Sequence, residues 1–248
     1  MNDLTRDGFL GGRLQLWQPR RGYRAGVDPV ILAATVPETA RSVLDMGCGV
    51  GAAGLCVAAR LGSAQVTGLE VQAAYAALAQ RNALENGLAF DVVQGDLTDM
   101  PRAVRDRQFD HVIANPPYFL RDRTTPARDE GRETAMGEGA TLAAWVRAGA
   151  RRVRDRGEVT MIQRADRLPE LLALFTRFLG SVRVLPLMPR PGRDSQLVLI
   201  RGRKGGRAAF RLHAGVQIHL SDRHESDRPD YAPLIRAVLH DAAALPFP

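Results

Sequence analysis

Asp45-Met46-Gly47-Cys48-Gly49-Val50-Gly51 is the stretch on which the fold turns. It separates a short β-rich run at 42–46, Ser-Val-Leu-Asp-Met, from a helical run at 52–60. Glycines between a buried strand and a helix let the backbone turn tightly and let a ligand approach it closely. The helix that follows offers unpaired N–H groups to an anionic group. Such a turn, at the carboxyl end of a strand, is where open α/β sheets bind cofactors.

Outward from this turn, β-rich runs alternate with helical ones. Strands are expected at 65–70, 89–94, 109–114 and 157–163, and helices at 71–86, 141–154 and 166–178. Arg81 and Glu85 form an i,i+4 pair, and Gly87 is placed to end its helix. Alternation of this kind calls for a parallel sheet covered on both faces. Two further strands, 182–188 and 196–201, are joined by a link too short for a parallel crossover, so they form an antiparallel hairpin. The expected architecture is a doubly wound, seven-stranded, mostly parallel α/β sheet with one reversed strand. Residues 9–40 suggest a hairpin around Gln15 to Gln18 and a helix from Asp28, with Asp28 as N-cap and Pro29 in the first turn.

Of the 248 residues, 45% are apolar and 25% charged, which excludes disorder as the main state. No apolar run approaches the ~20 residues needed to span a bilayer. The first residues lack the basic start and apolar centre of a signal peptide, so a cytoplasmic location is expected. Cys48 and Cys56 read as buried thiols, since neither a disulfide scaffold nor a four-ligand zinc site can be built from them. The net charge is +7, and Lys204 is the one lysine among 34 basic side chains. A positive excess points to an anionic partner, most simply nucleic acid.

Two cofactors compete for the turn. Gly49-Val50-Gly51-Ala52-Ala53-Gly54 matches the Gly-x-Gly-x-x-Gly of dinucleotide binding. However, the alternating glycines begin at Gly47, and Asp45 stands just before them. A carboxylate there opposes a pyrophosphate and welcomes the ammonium of an amino acid, which favours S-adenosylmethionine. Glu70, at the next strand end, can accept from both ribose hydroxyls. Asp96, after the third strand, can accept from the adenine amine, with Leu97 against the ring. Gly47, Gly49 and Gly51 complete this cofactor set.

Asn115-Pro116-Pro117-Tyr118 follows the fourth strand directly. An aromatic exocyclic amine is a poor nucleophile because its lone pair is delocalised into the ring. Two acceptors aimed at its two N–H bonds favour the pyramidal nitrogen that attacks. The Asn115 side-chain oxygen and the Pro116 carbonyl supply them, and Asn115 also faces the cofactor. Prolines hold that backbone in place before the reaction begins. Tyr118 offers a flat face on which an extruded base stacks.

These motifs resemble those of class I S-adenosylmethionine-dependent methyltransferases that act on amines, a Rossmann-like group. More closely, the chain is similar to the bacterial tRNA (adenine-N6) methyltransferases that modify the adenosine 3′ of the anticodon of a valine tRNA. The similarity begins at Leu10-Gly11-Gly12-Arg13-Leu14 and Gln18 to Asp28. It runs through the glycine turn, Asn82 to Leu88, Asn-Pro-Pro-Tyr and Trp145, and ends in Pro186-Leu187, Pro189-Arg190 and Leu197 to Lys204. It implies an N-terminal extension, 1–40, covering the cofactor pocket of a methyltransferase domain at 41–248, with tRNA as substrate. Residues 219–230 are more charged than the family pattern leads one to expect.

Topology sorts the arginines. Arg190 and Arg193, with Arg20, Arg21 and Arg24, are expected at the active face in contact with RNA phosphates. Arg151, Arg152, Arg154 and Arg156, and likewise Arg203, Lys204 and Arg207, belong at the opposite edge. The stretch 119–140 reads as a substrate-ordered lid. His219, Asp222 and His224 are too short and unsupported a cluster for a metal, and none is expected. The quaternary expectation is a monomer or weak dimer. Competing activities are guanine-N2 methylation of rRNA and glutamine-N5 methylation of a protein. Enzymes of the latter kind carry a helical domain where this chain has about 40 residues, and DNA adenine methylation requires a recognition insertion. The alternative of another class is a non-catalytic RNA-binding module.

Overall fold

The computed structural model describes residues 3–118, 140–222 and 230–247. It opens with an antiparallel hairpin, β1 (Leu4–Phe9) and β2 (Leu14–Pro19), which starts earlier than the expected hairpin. Helix α1 (Asp28–Ala34) follows. Asp28 is not its N-cap. Val27 holds that place, and the Asp28 carboxylate accepts a hydrogen bond from the Tyr118 hydroxyl at 2.7 Å instead.

The main sheet is built from β3 (Ser42–Met46), β4 (Gln65–Glu70), β5 (Phe90–Gln94), β6 (Phe109–Ala114), β7 (Val153–Arg164), β8 (Gly180–Met188) and β9 (Leu197–Arg203). Their order across the sheet is β5-β4-β3-β6-β7-β9-β8. β9 is antiparallel to both β7 and β8, so it is the reversed strand the short link requires. Two strands of two residues each, β10 (Arg211–Leu212) and β11 (Val216–Gln217), pair parallel with β8, making nine strands rather than seven. They are too short to carry an alternating pattern.

The crossovers are helices α2 (Ala52–Leu61), α3 (Ala73–Glu85), α4 (Arg102–Arg105), α5 (Leu142–Arg152) and α6 (Leu168–Phe178). A last helix, α7 (Pro233–Asp241), was not expected from the sequence. Helices α1, α2, α3 and α7 share one apolar core, with Leu32, Leu55, Ala79 and Ile235. Helices α4, α5 and α6 share the other, with Val104, Val146 and Phe175. The sheet is thus covered on both faces, as its buried, near-continuous apolar strands demand. Because β3, β4, β5 and β6 pair parallel, their carboxyl ends lie along one edge.

The hairpin is fastened to α3 by asparagines. Asn82 accepts from the Trp17 N–H at 2.8 Å and donates to the Trp17 carbonyl at 3.1 Å. It also donates to the Val50 carbonyl in the glycine turn at 2.9 Å. Asn86 makes the same pair of bonds with Gln15, at 2.9 Å each. Side-chain amides here replace the neighbouring strand that β2 lacks on this side.

Candidate functional site

A cavity of about 630 Å³ lies at the carboxyl edge of β3, β4, β5 and β6, within the range of small-molecule and cofactor sites. Its floor is the glycine turn. Gly47, Gly49 and Gly51 all have positive φ, at 64°, 55° and 89°. Side-chain-bearing residues resist that region. At Gly47 the constraint is also steric, because a Cβ would stand 2.4 Å from the Trp145 ring. Trp145 is fixed in turn by donating from its indole to the Ala140 carbonyl at 3.1 Å.

The three strand-end acids all line this cavity. Asp45 is 2% exposed and accepts from the Gly54 N–H at 2.8 Å. Burial pushes its carboxyl up to about 7, opposed by the Gly54 hydrogen bond and assisted by the nearby Glu70. Glu70 accepts from Gly49 N–H on one oxygen and Gln72 N–H on the other, both at 2.9 Å. Burial holds it above the ordinary carboxylate range, against those same N–H groups. Asp96 is exposed and closes a local turn with Thr98 N–H at 2.7 Å, and Leu97 beside it is partly buried. Each carboxylate oxygen has lone pairs left for a ligand.

The Asn-Pro-Pro-Tyr segment forms the facing wall, with all four residues on the cavity. Asn115 donates through Nδ2 to the Tyr23 hydroxyl at 3.3 Å. Its Oδ1 is buried and has no hydrogen-bond partner among the described residues. A buried acceptor in that state costs stability unless a ligand supplies the donor. The Pro116 carbonyl accepts from Gln163 Nε2 at 3.3 Å, which leaves it one lone pair. Burial, then the charge of Asp28, holds the Tyr118 hydroxyl far above the usual phenol range, so it stays neutral.

Two residues that hold this wall, Tyr23 and Gln163, escaped the sequence reading. Tyr23 shows no motif of its own. Its peptide is gripped by the Tyr75 hydroxyl, which accepts from Tyr23 N–H at 3.1 Å and donates to its carbonyl at 3.2 Å. Gln163, fully buried at the end of β7, stands 47 residues from the carbonyl it holds. Only the fold brings them together.

The arginine expectations divide. Arg24 lines the cavity, but its guanidinium donates to Asp7, Thr5 and the Pro19 carbonyl at 2.7–2.8 Å, so it ties the segment to the hairpin. Arg190 donates to Asp230 at 3.1 Å and to the Ser221 carbonyl at 2.7 Å, so it braces the C-terminal segment rather than standing out for a phosphate. Arg20, Arg21 and Arg193 are exposed. On the opposite edge, Arg154 pairs with Asp110 and Lys204 with the Val153 carbonyl. Residues 119–139 of the expected lid, and His224, lie outside the described residues. His219 pairs with Asp230 at 2.9 Å, and among the described residues no cluster of metal ligands occurs.

Comparison with known proteins adds findings of three kinds. The model of the methyltransferase small domain matches residues 26–164. A tRNA1(Val) (adenine(37)-N6)-methyltransferase of Yersinia enterocolitica is 28% identical over 239 residues, spanning 94% of this chain and 92% of that protein. Its counterpart in Yersinia pestis is 30% identical over 219 residues, spanning 84% of this chain and 85% of that protein. Among solved structures, an Agrobacterium tumefaciens protein described as a predicted O-methyltransferase superposes with a TM-score of 0.71 at 28% identity, covering 88% of this chain and 98% of its own. A T. thermophilus 16S rRNA N2 methyltransferase, solved with AdoMet and guanosine, has a TM-score of 0.58 at 20% identity, covering 81% of this chain and half of its own, and shares the fold.

Proposed function

The chain belongs to the methyltransferase small domain family and uses S-adenosylmethionine, and from that premise we propose that it methylates N6 of an adenosine in tRNA. In its finest form the proposal is adenosine 37, just 3′ of the anticodon of a valine tRNA, the position carried in the names of its relatives.

The residues present suit the cofactor. Gly47 and Gly49 line the cavity with bare backbone, which a ligand can approach closely, while the Trp145 ring packs on Gly47 where a Cβ would stand. Asp45 would take the ammonium, Glu70 the ribose hydroxyls, and Asp96 with Leu97 the adenine, all around one cavity. When bound, S-adenosylmethionine supplies a methyl group on a positively charged sulfur.

The observation that carries the choice of an amine is the unpartnered Asn115 Oδ1. Together with the free lone pair of the Pro116 carbonyl it makes two acceptors on one rigid turn. That pair matches an –NH2 group and draws its nitrogen toward the pyramidal geometry it needs. A hydroxyl substrate requires a base to remove its single proton, and Asn115 is not one. This sets the amine reading above the oxygen chemistry attributed to the Agrobacterium protein. Tyr118 would stack on the extruded base, a contact worth ~1–3 kcal/mol. No strong base is needed, and the rate comes from positioning and fixed dipoles.

In this reading residues 1–40 cover the cofactor pocket of a methyltransferase domain at 41–248. Gly22 to Ala25 line the cavity in support of it. Arg20, Arg21 and Arg193 would meet RNA phosphates. The protein would act in the cytoplasm, and among the described residues no helix is long and apolar enough to cross a membrane. Nucleoside mass spectrometry of tRNA from cells with and without the gene tests the proposal. Loss of N6-methyladenosine from one tRNA is expected, and an unchanged tRNA profile would refute it.

A further inference from the structure

The two acceptors are held by different means. Asn115 carries its oxygen on a side chain. Pro116 carries its oxygen on the backbone, so that oxygen points wherever the chain turns. β6 ends at Ala114, and neither Pro116 nor Pro117 has an N–H with which to extend its ladder. β7, which pairs Met161 with Ala114, runs on to Arg164. We propose that Gln163, on this overhang of β7, fixes the direction of the Pro116 carbonyl, and that the Arg164 backbone N–H sets the Gln163 carboxamide the right way round to do so.

A carboxamide is nearly symmetric in shape and opposite in hydrogen bonding at its two ends. Turned by half a rotation, Gln163 would set its oxygen against the Pro116 oxygen. The Arg164 N–H opposes this turn, because a backbone N–H only donates, and it donates to Gln163 Oε1 at 2.9 Å. Nε2 is then the end that meets Pro116, and it donates to the carbonyl at 3.3 Å. Gln163 has no exposed surface, and β9 holds its backbone, pairing Gln163 with Val198 and Arg164 with Leu197. Pro116 is buried as well and lines the cavity. A carbonyl oxygen has two lone pairs, so committing one to Gln163 gives the other a fixed direction. Gln163 is not among the residues that line the cavity. It is therefore a positioning residue, standing on a rigid strand behind the wall that meets the substrate.

This inference rests on the adenosine-N6 reading, and the test separates the two. The full chain is assayed on tRNA transcript, with donor binding followed by calorimetry. Gln163→Met keeps the length of the side chain and removes its N–H groups. It should lower kcat about tenfold, with KM for tRNA and donor Kd within about twofold of wild type. Arg164 has a φ of −61°, which proline adopts without strain. Arg164→Pro removes the N–H that sets the amide and should lower kcat to a similar extent. Arg164→Ala keeps that N–H and should match wild type. On top of Gln163→Met, Arg164→Pro should cost nothing more, since its route of action is gone. Donor-free crystals of Gln163→Met should show the Pro116 carbonyl turned from its wild-type direction. If Gln163→Met fails to fold, Arg164→Pro carries the same readings. Unchanged kcat in Gln163→Met, a loss matched in KM and donor Kd, or full turnover in Arg164→Pro would overturn the inference while the reading stands. Wild-type enzyme that leaves no N6-methyladenosine in the transcript would overturn the reading, and the carbonyl direction in the crystals would still test what Gln163 does.

Discussion

Two ends of the same sheet bury carboxylates in opposite ways. Toward the amino end, Glu158 of β7 faces three guanidinium groups, Arg183 at 2.5 Å and Arg201 and Arg203 at 3.5 Å. Nearby His111, kept neutral by burial and by the arginines around it, meets the Thr160 hydroxyl at 2.9 Å. Toward the carboxyl end, Asp45 and Glu70 are as deeply buried, and backbone N–H groups of Gly54, Gly49 and Gln72 hold them. In the first arrangement the carboxylate meets its counter-charges inside the chain. The second is prepared for charge and donors that come from outside. An unmatched acceptor that also faces a cavity, as Asn115 Oδ1 does, marks where a ligand belongs, and an ion pair closed within the chain marks where the fold is braced.

The comparison can be broken at either end. Asn115→Ala removes the unmatched acceptor, and kcat should fall by about 10²–10³, the loss seen when one preorganised group at a reacting atom is removed. Donor binding by calorimetry should persist, and near-normal turnover would take Asn115 out of its role. Glu158→Gln should strand the arginines around it and lower unfolding stability by about 3 kcal/mol in a denaturant titration. At a temperature where the variant is folded, its kcat should match wild type, which would mark this end as structural.

Asp45→Asn carries the smallest effect and the clearest sign. The Asp45 carboxyl is pushed up to about 7, so in the free protein it is largely protonated below that pH and ionised above it. An ammonium needs the ionised form. Donor affinity should therefore rise as pH climbs through about 7 and then level off, and Asp45→Asn should flatten that profile and weaken binding about tenfold at pH 8. The stability of the free protein runs the other way. A carboxyl raised above its unfolded value loses stability as pH climbs from about 4 to about 7, and the cost is fully present above that. Asp45→Asn should then raise the Tm of the donor-free protein at pH 8. A variant that binds weakly and also melts lower would place Asp45 with Glu158, among the braces.

Much of the fold was legible because local chemistry and global topology agree in it. β3, β4 and β6 fall at the expected residues since each is a short apolar run closed by a turn signal: glycines after Met46, an acid at Glu70, prolines after Asn115. The reversed β9 followed from the length of one link. β10, β11 and the nine-residue α7 were missed because so few residues show no period. The Asp28 cap failed because a better partner, Tyr118, arrives from 90 residues away. Arg190 misled for the same reason, since topology points it at the active face and Asp230, 40 residues on, takes its guanidinium. The candidate site was legible where a motif is contiguous. Tyr23 and Gln163 support that motif from other elements, and nothing local to either announces the contact.

The central claim is that Asn115 Oδ1 and the Pro116 carbonyl together receive the two N–H bonds of an exocyclic amine. A crystal structure of the protein with a non-reactive donor analogue and a tRNA anticodon stem-loop measures this directly. Both oxygens should lie about 2.7–3.2 Å from N6 of one extruded adenosine. An adenosine bound with N6 pointed away from them, or with the Asn115 amide nitrogen toward it, would contradict the account.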